Sequence, residues 1–200
     1  MILRKINIFF ILFLILSNLF MIKPYSEVIY KVDNFHSFII FEIKNYAQLG
    51  NIVVGRFNKI EGEVIINEND ITKSKVNIKI PVDSIDTGWK ERDQHLLGPD
   101  FFNSKEYPYI YFNSLSINSL APNEFLVTGT LKLLNNSKII KFPIVQITKG
   151  KNLFNQDIIV YKFSYSLNRS EFGMDKYLNI VGDKVDLEFY IQLIKETKDK

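Results

Sequence analysis

Residues 159–167 read IVYKFSYSL. Ile159, Tyr161, Phe163, Tyr165 and Leu167 alternate with Val160, Lys162, Ser164 and Ser166. Successive side chains on a strand face opposite ways, so this run has one apolar face and one mostly polar face. Residues 185–193, VDLEFYIQL, repeat the pattern, as do 76–82 (VNIKIPV) and 125–133 (FLVTGTLKL). Isoleucine, valine, phenylalanine and tyrosine dominate these runs, as strands prefer.

Turn signals separate the runs: Asn67-Glu68-Asn69-Asp70, Ala121-Pro122-Asn123, Asn135-Asn136-Ser137 and Lys149-Gly150. About eight to ten strand-like runs joined by short turns make an antiparallel meander. Strands with one apolar face each must stack as two sheets or close into a barrel. One stretch departs from the pattern. Between Ser84 and Asn103, Gly88, Trp89, Leu96 and Leu97 fall at helical spacing. They predict a short helix over about Gly88 to Leu97, capped by Asp86 or Thr87 and ended by Pro99. A second short helix is expected near Lys44 to Leu49. No internal repeat or domain boundary is visible.

The chain has 200 residues, 46% of them hydrophobic and 24% charged, the balance of a folded single domain rather than a disordered protein. Its net charge is +3. Arg4, Lys5 and Lys23 precede Glu27, no acid does, and the remainder is neutral. A neutral body argues against nucleic acid as a partner. There is no cysteine, which excludes disulfides, thiolate chemistry and lipid attachment at a cysteine. Residues 8–16 are apolar without interruption after a basic start. That is the pattern of a signal peptide, read over 1–26 with an uncertain cleavage site and 27–200 as the exported domain. The run is short for a membrane span, and an uncleaved anchor is the minority alternative.

Polar constellations are sparse. The two histidines, His36 and His95, share no element, so no metal site is expected. Asp33, His36 and Ser37 offer triad residue types, but adjacent His and Ser without a nucleophile elbow read as groups satisfying a backbone bend. Asp83 and Asp86 flank a strand-to-helix junction, where capping accounts for them. Arg92 and Asp93 read as a link between helix and sheet. Gly55, Gly62 and Gly129 mark bulges or close backbone approach. The excess lies in apolar side chains, with 17 phenylalanines and 10 tyrosines. An eight-stranded barrel is filled by its side chains or holds one slender ligand, and composition does not choose between them.

The chain resembles the YceI-like proteins, lipocalin-like polyisoprenoid-binding bacterial proteins, from about Tyr30 to Leu193. The likeness rests on Asp33-x-x-His36-Ser37-x-x-x-Phe41, Gly55-x-Phe57 and Gly62. It continues through Ser84-Ile85-Asp86-Thr87, Arg92-Asp93-x-His95-Leu96, Asp100-Phe101-Phe102 and Tyr107-Pro108-x-Ile110-x-Phe112-x-Ser114. Gly129-x-Leu131, Arg169-x-x-Phe172-Gly173 and Val181-Gly182-Asp183-x-Val185 complete it. One departure is the turn Asn135-Asn136-Ser137-Lys138, where such proteins usually place glycine and threonine; asparagine tolerates the left-handed conformation, so the hairpin should survive.

The resemblance implies an all-β fold: an antiparallel lipocalin-like β-barrel of about eight strands with one or two short helices, preceded by a signal peptide. It implies an apolar pore for a long-chain isoprenoid or isoprenoid quinone, export to the periplasm, no catalytic activity and no cofactor beyond that lipid. The candidate pore-lining residues are Phe41, Phe57, Ile78, Ile80, Phe112 and Phe125, and, from later strands, Val127, Leu131, Phe163, Tyr165, Leu187 and Phe189. His36, Arg92, Asp93, His95 and Arg169 are polar candidates near a pore end, each weighed first as structural. The expected role is lipid storage or transport, with transient membrane contact, as a monomer or homodimer. Two alternatives stand beside it. One is a solid-cored secreted β protein acting as a surface interaction module. The other is an enzyme working on a lipid head group, for which His36, Asp93 and His95 would have to converge at an opening.

Overall fold

The computed structural model describes residues 27–197. The expected signal peptide therefore lies outside the described residues. Eleven strands form one antiparallel sheet: β1 (Glu27–Val32), β2 (Phe38–Asn45), β3 (Asn51–Phe57), β4 (Glu61–Asn67), β5 (Lys75–Pro81), β6 (Ile85–Asp86), β7 (Tyr109–Ala121), β8 (Glu124–Leu133), β9 (Asn136–Lys151), β10 (Asp157–Asn168) and β11 (Val181–Lys195). Pairing of β1 with β11, Tyr30 opposite Lys195, closes the sheet into a barrel.

The eleven strands make eight staves. β11 pairs with β2 through residues 181–190 and with β1 through 193–195, so β1 and β2 are one stave with a break. The same holds for β3 with β4 and for β5 with β6, since each pair lies against the neighbouring broken stave. The breaks are stitched side by side into a waist. Ile60 N donates to Asn34 Oδ1 at 2.6 Å, and Asn58 N to Ser84 O at 3.0 Å. Asp33 and Ser37 explain the first break. Asp33 Oδ1 accepts from Phe35 N at 3.0 Å and Oδ2 from Gln192 Nε2 at 2.8 Å. Ser37 Oγ accepts from Gln192 N at 2.9 Å. Short polar side chains thus hold β11 where the stave's own backbone turns away from it.

The ladders do not run the full height of the wall. β6 pairs with β3 and not with β7. Helix α1 (Lys90–Leu97) and the loop after it lie in the connection between β6 and β7. Paired residues between β9 and β10 end at Lys162 opposite Val145. Above that point Phe142 and Phe163 bridge the two strands by stacking, 4.9 Å between centroids.

The meander sorts its connections to two ends. The 46–50 turn, the α1 segment, the 134–135 turn and the 169–180 loop lie at one end; the 68–74, 122–123 and 152–156 connections lie at the other, the floor. The floor includes a single 3-10 turn, Ile71–Lys73, whose cap is Asp70 Oδ1 accepting from Thr72 N at 3.1 Å. Ile71 packs against both clusters of that half, around Tyr30, Val64 and Leu193 and around Ile117, Val127 and Phe142.

Four local expectations need correction. Helix α1 begins at Lys90, not Gly88, and Trp89 at its N-cap offers no side-chain hydrogen bond. Asp86 instead accepts from Gly88 N, and Asp93 from Thr87 N and Oγ1. Lys149 and Gly150 lie inside β9, because the turn chemistry is supplied later by Asn152, which accepts from Phe154 N and Gln156 N. In the β8–β9 turn the positive φ falls on Leu134 (53°), not on an asparagine. Asn136 is used otherwise, its Nδ2 donating to Phe172 O at 2.8 Å. Near Lys44–Leu49 there is a single 3-10 turn, Tyr46–Gln48.

Candidate ligand-binding cavity

Many side chains facing the barrel interior are only half-buried, Phe112, Phe163, Leu187 and Phe189 among them. A solid core would bury them fully. They surround a cavity of about 640 Å³ whose lining is almost wholly apolar. The solid-cored alternative therefore fails.

All twelve predicted pore positions face this cavity. Phe41, Phe57, Ile78, Ile80, Phe112 and Phe125 do so from β2, β3, β5, β7 and β8. Val127, Leu131, Phe163, Tyr165, Leu187 and Phe189 do so from β8, β10 and β11. Period-two alternation placed them there, since each strand turns alternate residues inward. Close approach shapes the wall at Gly129, where a Cβ would stand 2.4 Å from Phe112 Cζ and 2.6 Å from Asn113 O. The missing side chain lets the Phe112 ring lie across β8.

The cavity opens at one end. Lining residues at the floor, such as Val64, Ile66, Ile71, Ser74 and Leu193, are buried or half-buried. At the other end Ala47, Trp89, Glu91, His95, Tyr177 and Ile180 line it and are exposed. The mouth is framed by an aromatic group. His95 packs edge-on to Phe101 at 5.1 Å, and Phe101 stacks on Tyr177 at 5.9 Å. Tyr177 OH donates to Asp100 Oδ2 at 2.9 Å, which raises the pKa of the phenol.

Arg169 sits just inside, 2% exposed. Its Nε donates to Gly182 O, Nη1 to Met174 O and Nη2 to Val181 O, at 2.8, 2.8 and 3.0 Å. Burial lowers its pKa, and nearby Asp183 and Asp175 oppose that shift. The guanidinium fork thus clamps the 174–182 segment to the barrel. Arg92 and Asp93 meet at Thr87: Arg92 Nε donates to Thr87 Oγ1 at 2.8 Å and Nη2 to Thr87 O at 2.8 Å. The expected tie between helix and sheet is therefore made through Thr87.

Two polar candidates do not reach the cavity lining. Asp93 is turned to Thr87. His36 lies at the waist, two-thirds exposed, its Nδ1 2.7 Å from Asp33 Oδ2. His95 Nε2 stands 3.8 Å from Asp100. His36, Asp93 and His95 thus each have a different partner, and the constellation that the enzyme alternative requires is not formed. No group of three or more His, Cys, Asp or Glu able to hold a metal occurs among the described residues.

Several lining residues escaped the sequence reading. Ile140, Phe142 and Ile144 alternate along β9 and could have been found by the same rule. Tyr161 shares its face with Phe163 and was the signal nearest to hand. It lies deep in the cavity with its ring against Phe125, and burial pushes its pKa up to about 12. Tyr177, Met174 and Ile180 come from a loop, where no periodicity announces them.

The comparisons agree with this architecture. A UPF0312 protein of Photorhabdus laumondii is 27% identical over 169 residues, covering 84% of this chain and 86% of the relative. Protein YceI of Escherichia coli O157:H7 is 26% identical, covering 84% and 87%. Among solved structures, BcnA of Burkholderia cenocepacia superposes with a TM-score of 0.70 at 25% identity, over 80% of this chain and 98% of that one. A polyisoprenoid binding domain from Saccharophagus degradans, implicated in plant cell wall breakdown, shares the fold with a TM-score of 0.65 at 15% identity, over 84% and 99%. The family model of the YceI-like domain matches residues 30–193, nearly all of the barrel, and the chain belongs to that family.

Proposed function

We propose that the protein is an exported lipid-binding protein that holds a long-chain isoprenoid, such as a polyprenyl chain or a prenyl quinone, in its barrel for storage or transport. The observation that carries this reading is the hollow interior: about 640 Å³ of apolar space with one mouth. Ligand pockets commonly span about 300–1,000 Å³. The fold shared with a polyisoprenoid binding domain supports the same class of ligand.

Hydrophobic transfer supplies the affinity. Burying roughly 500 Å² of apolar chain yields about 12 kcal/mol at ~25 cal/mol/Å². Lost translation and tail ordering offset several kcal/mol of this. One neutral hydrogen bond nets about 1 kcal/mol. Tail length should therefore govern binding more than head chemistry. The barrel acts as a binder and not as a catalyst.

Native mass spectrometry of the purified protein, followed by organic extraction, tests the proposal. A co-purifying prenyl lipid, or uptake of an added prenyl quinone, is expected. Neither being found would overturn it.

A further inference from the structure

The mouth carries more exposed apolar surface than a water-facing rim needs. Leu49 is fully exposed, and Tyr46, Trp89, Tyr177, Leu178 and Ile180 are between 38% and 54% exposed. They belong to the three segments that surround the mouth. Tyr46 N and Ala47 N both donate to Ile180 O, at 2.8 and 3.3 Å, which joins the β2–β3 turn to the 177–180 loop. The Tyr177–Asp100 hydrogen bond and the Tyr177–His95 contact at 5.9 Å join that loop to α1. Trp89 stands at the helix start, its ring centroid 5.6 Å from the Arg92 guanidinium. Trp89, Tyr177 and Ile180 also line the cavity, so rim and interior are one surface.

Structural demands do not explain these side chains. Leu49 and Tyr177 hold left-handed backbone, φ 57° and 58°, a conformation that favours glycine or asparagine. Leu49 thus bears backbone strain and full exposure while packing against nothing that would compensate. Exposed apolar patches of this kind mark contact sites. Tryptophan and tyrosine are the side chains that settle at a membrane–water boundary. Lys44, Lys90 and Lys176 flank the rim, with Lys44 in electrostatic reach of Asp186. Glu91, Asp100 and Asp175 stand among them, so the rim has no excess of positive charge and its apolar side chains carry the contact. Long lysine stems can lie along apolar groups and reach anionic head groups.

We propose that this rim seats the protein mouth-first on a lipid bilayer, so that lipid passes between membrane and cavity without crossing water. The proposal rests on the reading of the cavity as a lipid site, and it adds the surface and the orientation of transfer.

Trp89 is the only tryptophan, so its fluorescence reports on the rim alone. On phosphatidylcholine–phosphatidylglycerol vesicles and on pure phosphatidylcholine its emission should shift to the blue and be quenched by brominated acyl chains. The double variant Leu49→Asn, Tyr46→Asn alters neither cavity residue nor lysine, and asparagine suits the backbone at 49. It should bind vesicles at least about tenfold more weakly, as loss of two apolar anchors requires. It should retain lipid delivered in detergent as the parent does.

Leu153 and Phe154, exposed on the floor-end 152–156 loop, provide the control. Leu153→Ser, Phe154→Ser should leave vesicle binding unchanged. A silent Trp89 on both vesicles would overturn the proposal. So would loss of binding in the floor variant alone, or self-association through the rim without a vesicle response. A protein that retains lipid while Trp89 stays silent refutes the rim and spares the cavity. Insertion of Trp89 by a protein that never carries lipid does the reverse.

Discussion

Phe163 of β10 and Phe189 of β11 are direct register partners, with ring centroids 4.3 Å apart and planes 7° from parallel. Phe142 lies on Phe163 as well, with 13° between planes. All three rings face the cavity. With lipid in the cavity, a carboxylate placed there would have neither water nor a partner, at a cost of several kcal/mol. Phe163→Asp should abolish lipid retention, read by native mass spectrometry. Phe163→Leu, which forfeits about 1–3 kcal/mol over two ring stacks and adds no charge, should keep the lipid. Retention unchanged in the aspartate variant would mean that the ligand does not reach this wall.

Arg169 offers a test of the mouth. Three carbonyls depend on its fork. Arg169→Met strands them and should lower stability on the order of 3 kcal/mol. Arg169→Lys should rescue little, because an ammonium cannot span three acceptors arranged for a planar guanidinium. Urea denaturation reads both. Full rescue by lysine would show that charge alone, and not the fork, is required.

Gly129→Ala should act through Phe112. The new methyl would meet both the ring and the backbone oxygen of Asn113, so strand or ring must shift. A loss of about 1–3 kcal/mol is expected, with reduced capacity for long chains as the ring is pushed toward the cavity. Unaltered stability and lipid load would indicate that β8 yields freely at this point.

Asp33 predicts a pH dependence. Burial alone would raise its pKa, but His36, the Phe35 N–H and Gln192 outweigh burial and leave it lowered. A carboxylate lowered in the folded state contributes stability that is complete above its unfolded pKa of about 3.9 and is lost as pH falls through the folded value. Asp33→Asn should thus be less stable at neutral pH by about 1–2 kcal/mol. The difference should shrink below about pH 4. A gap that persists in acid would assign the cost to the shape of the bend instead of its charge.

Alternation made the staves legible because a strand has only two sides. Once β5, β8, β10 and β11 were read, their inward residues followed. The waist was not legible. Asp33 and Ser37 could be recognised as bend residues, but their partner Gln192 is 155 positions from Ser37, and only the closed barrel brings them together. The hollow was not legible either. Phe112 occupies the wall instead of the centre because Gly129 lies beneath it, a relation between strands that one-dimensional spacing does not encode. Trp89 shows the same limit: read as a helical apolar residue, it stands exposed at the cavity's edge.

Between β9 and β10, above Val145, the wall has no row of paired residues to tear. Parting those strands means sliding Phe142 off Phe163 and Tyr165, a penalty of about 1–3 kcal/mol for the two ring pairs. Parting β10 from β11 would break a ladder that runs from Ile158 to Asn168. The wall is therefore least tied along this line and beside β6, and firmest where β10 meets β11. Girth is the dimension this sleeve holds least firmly along those two seams.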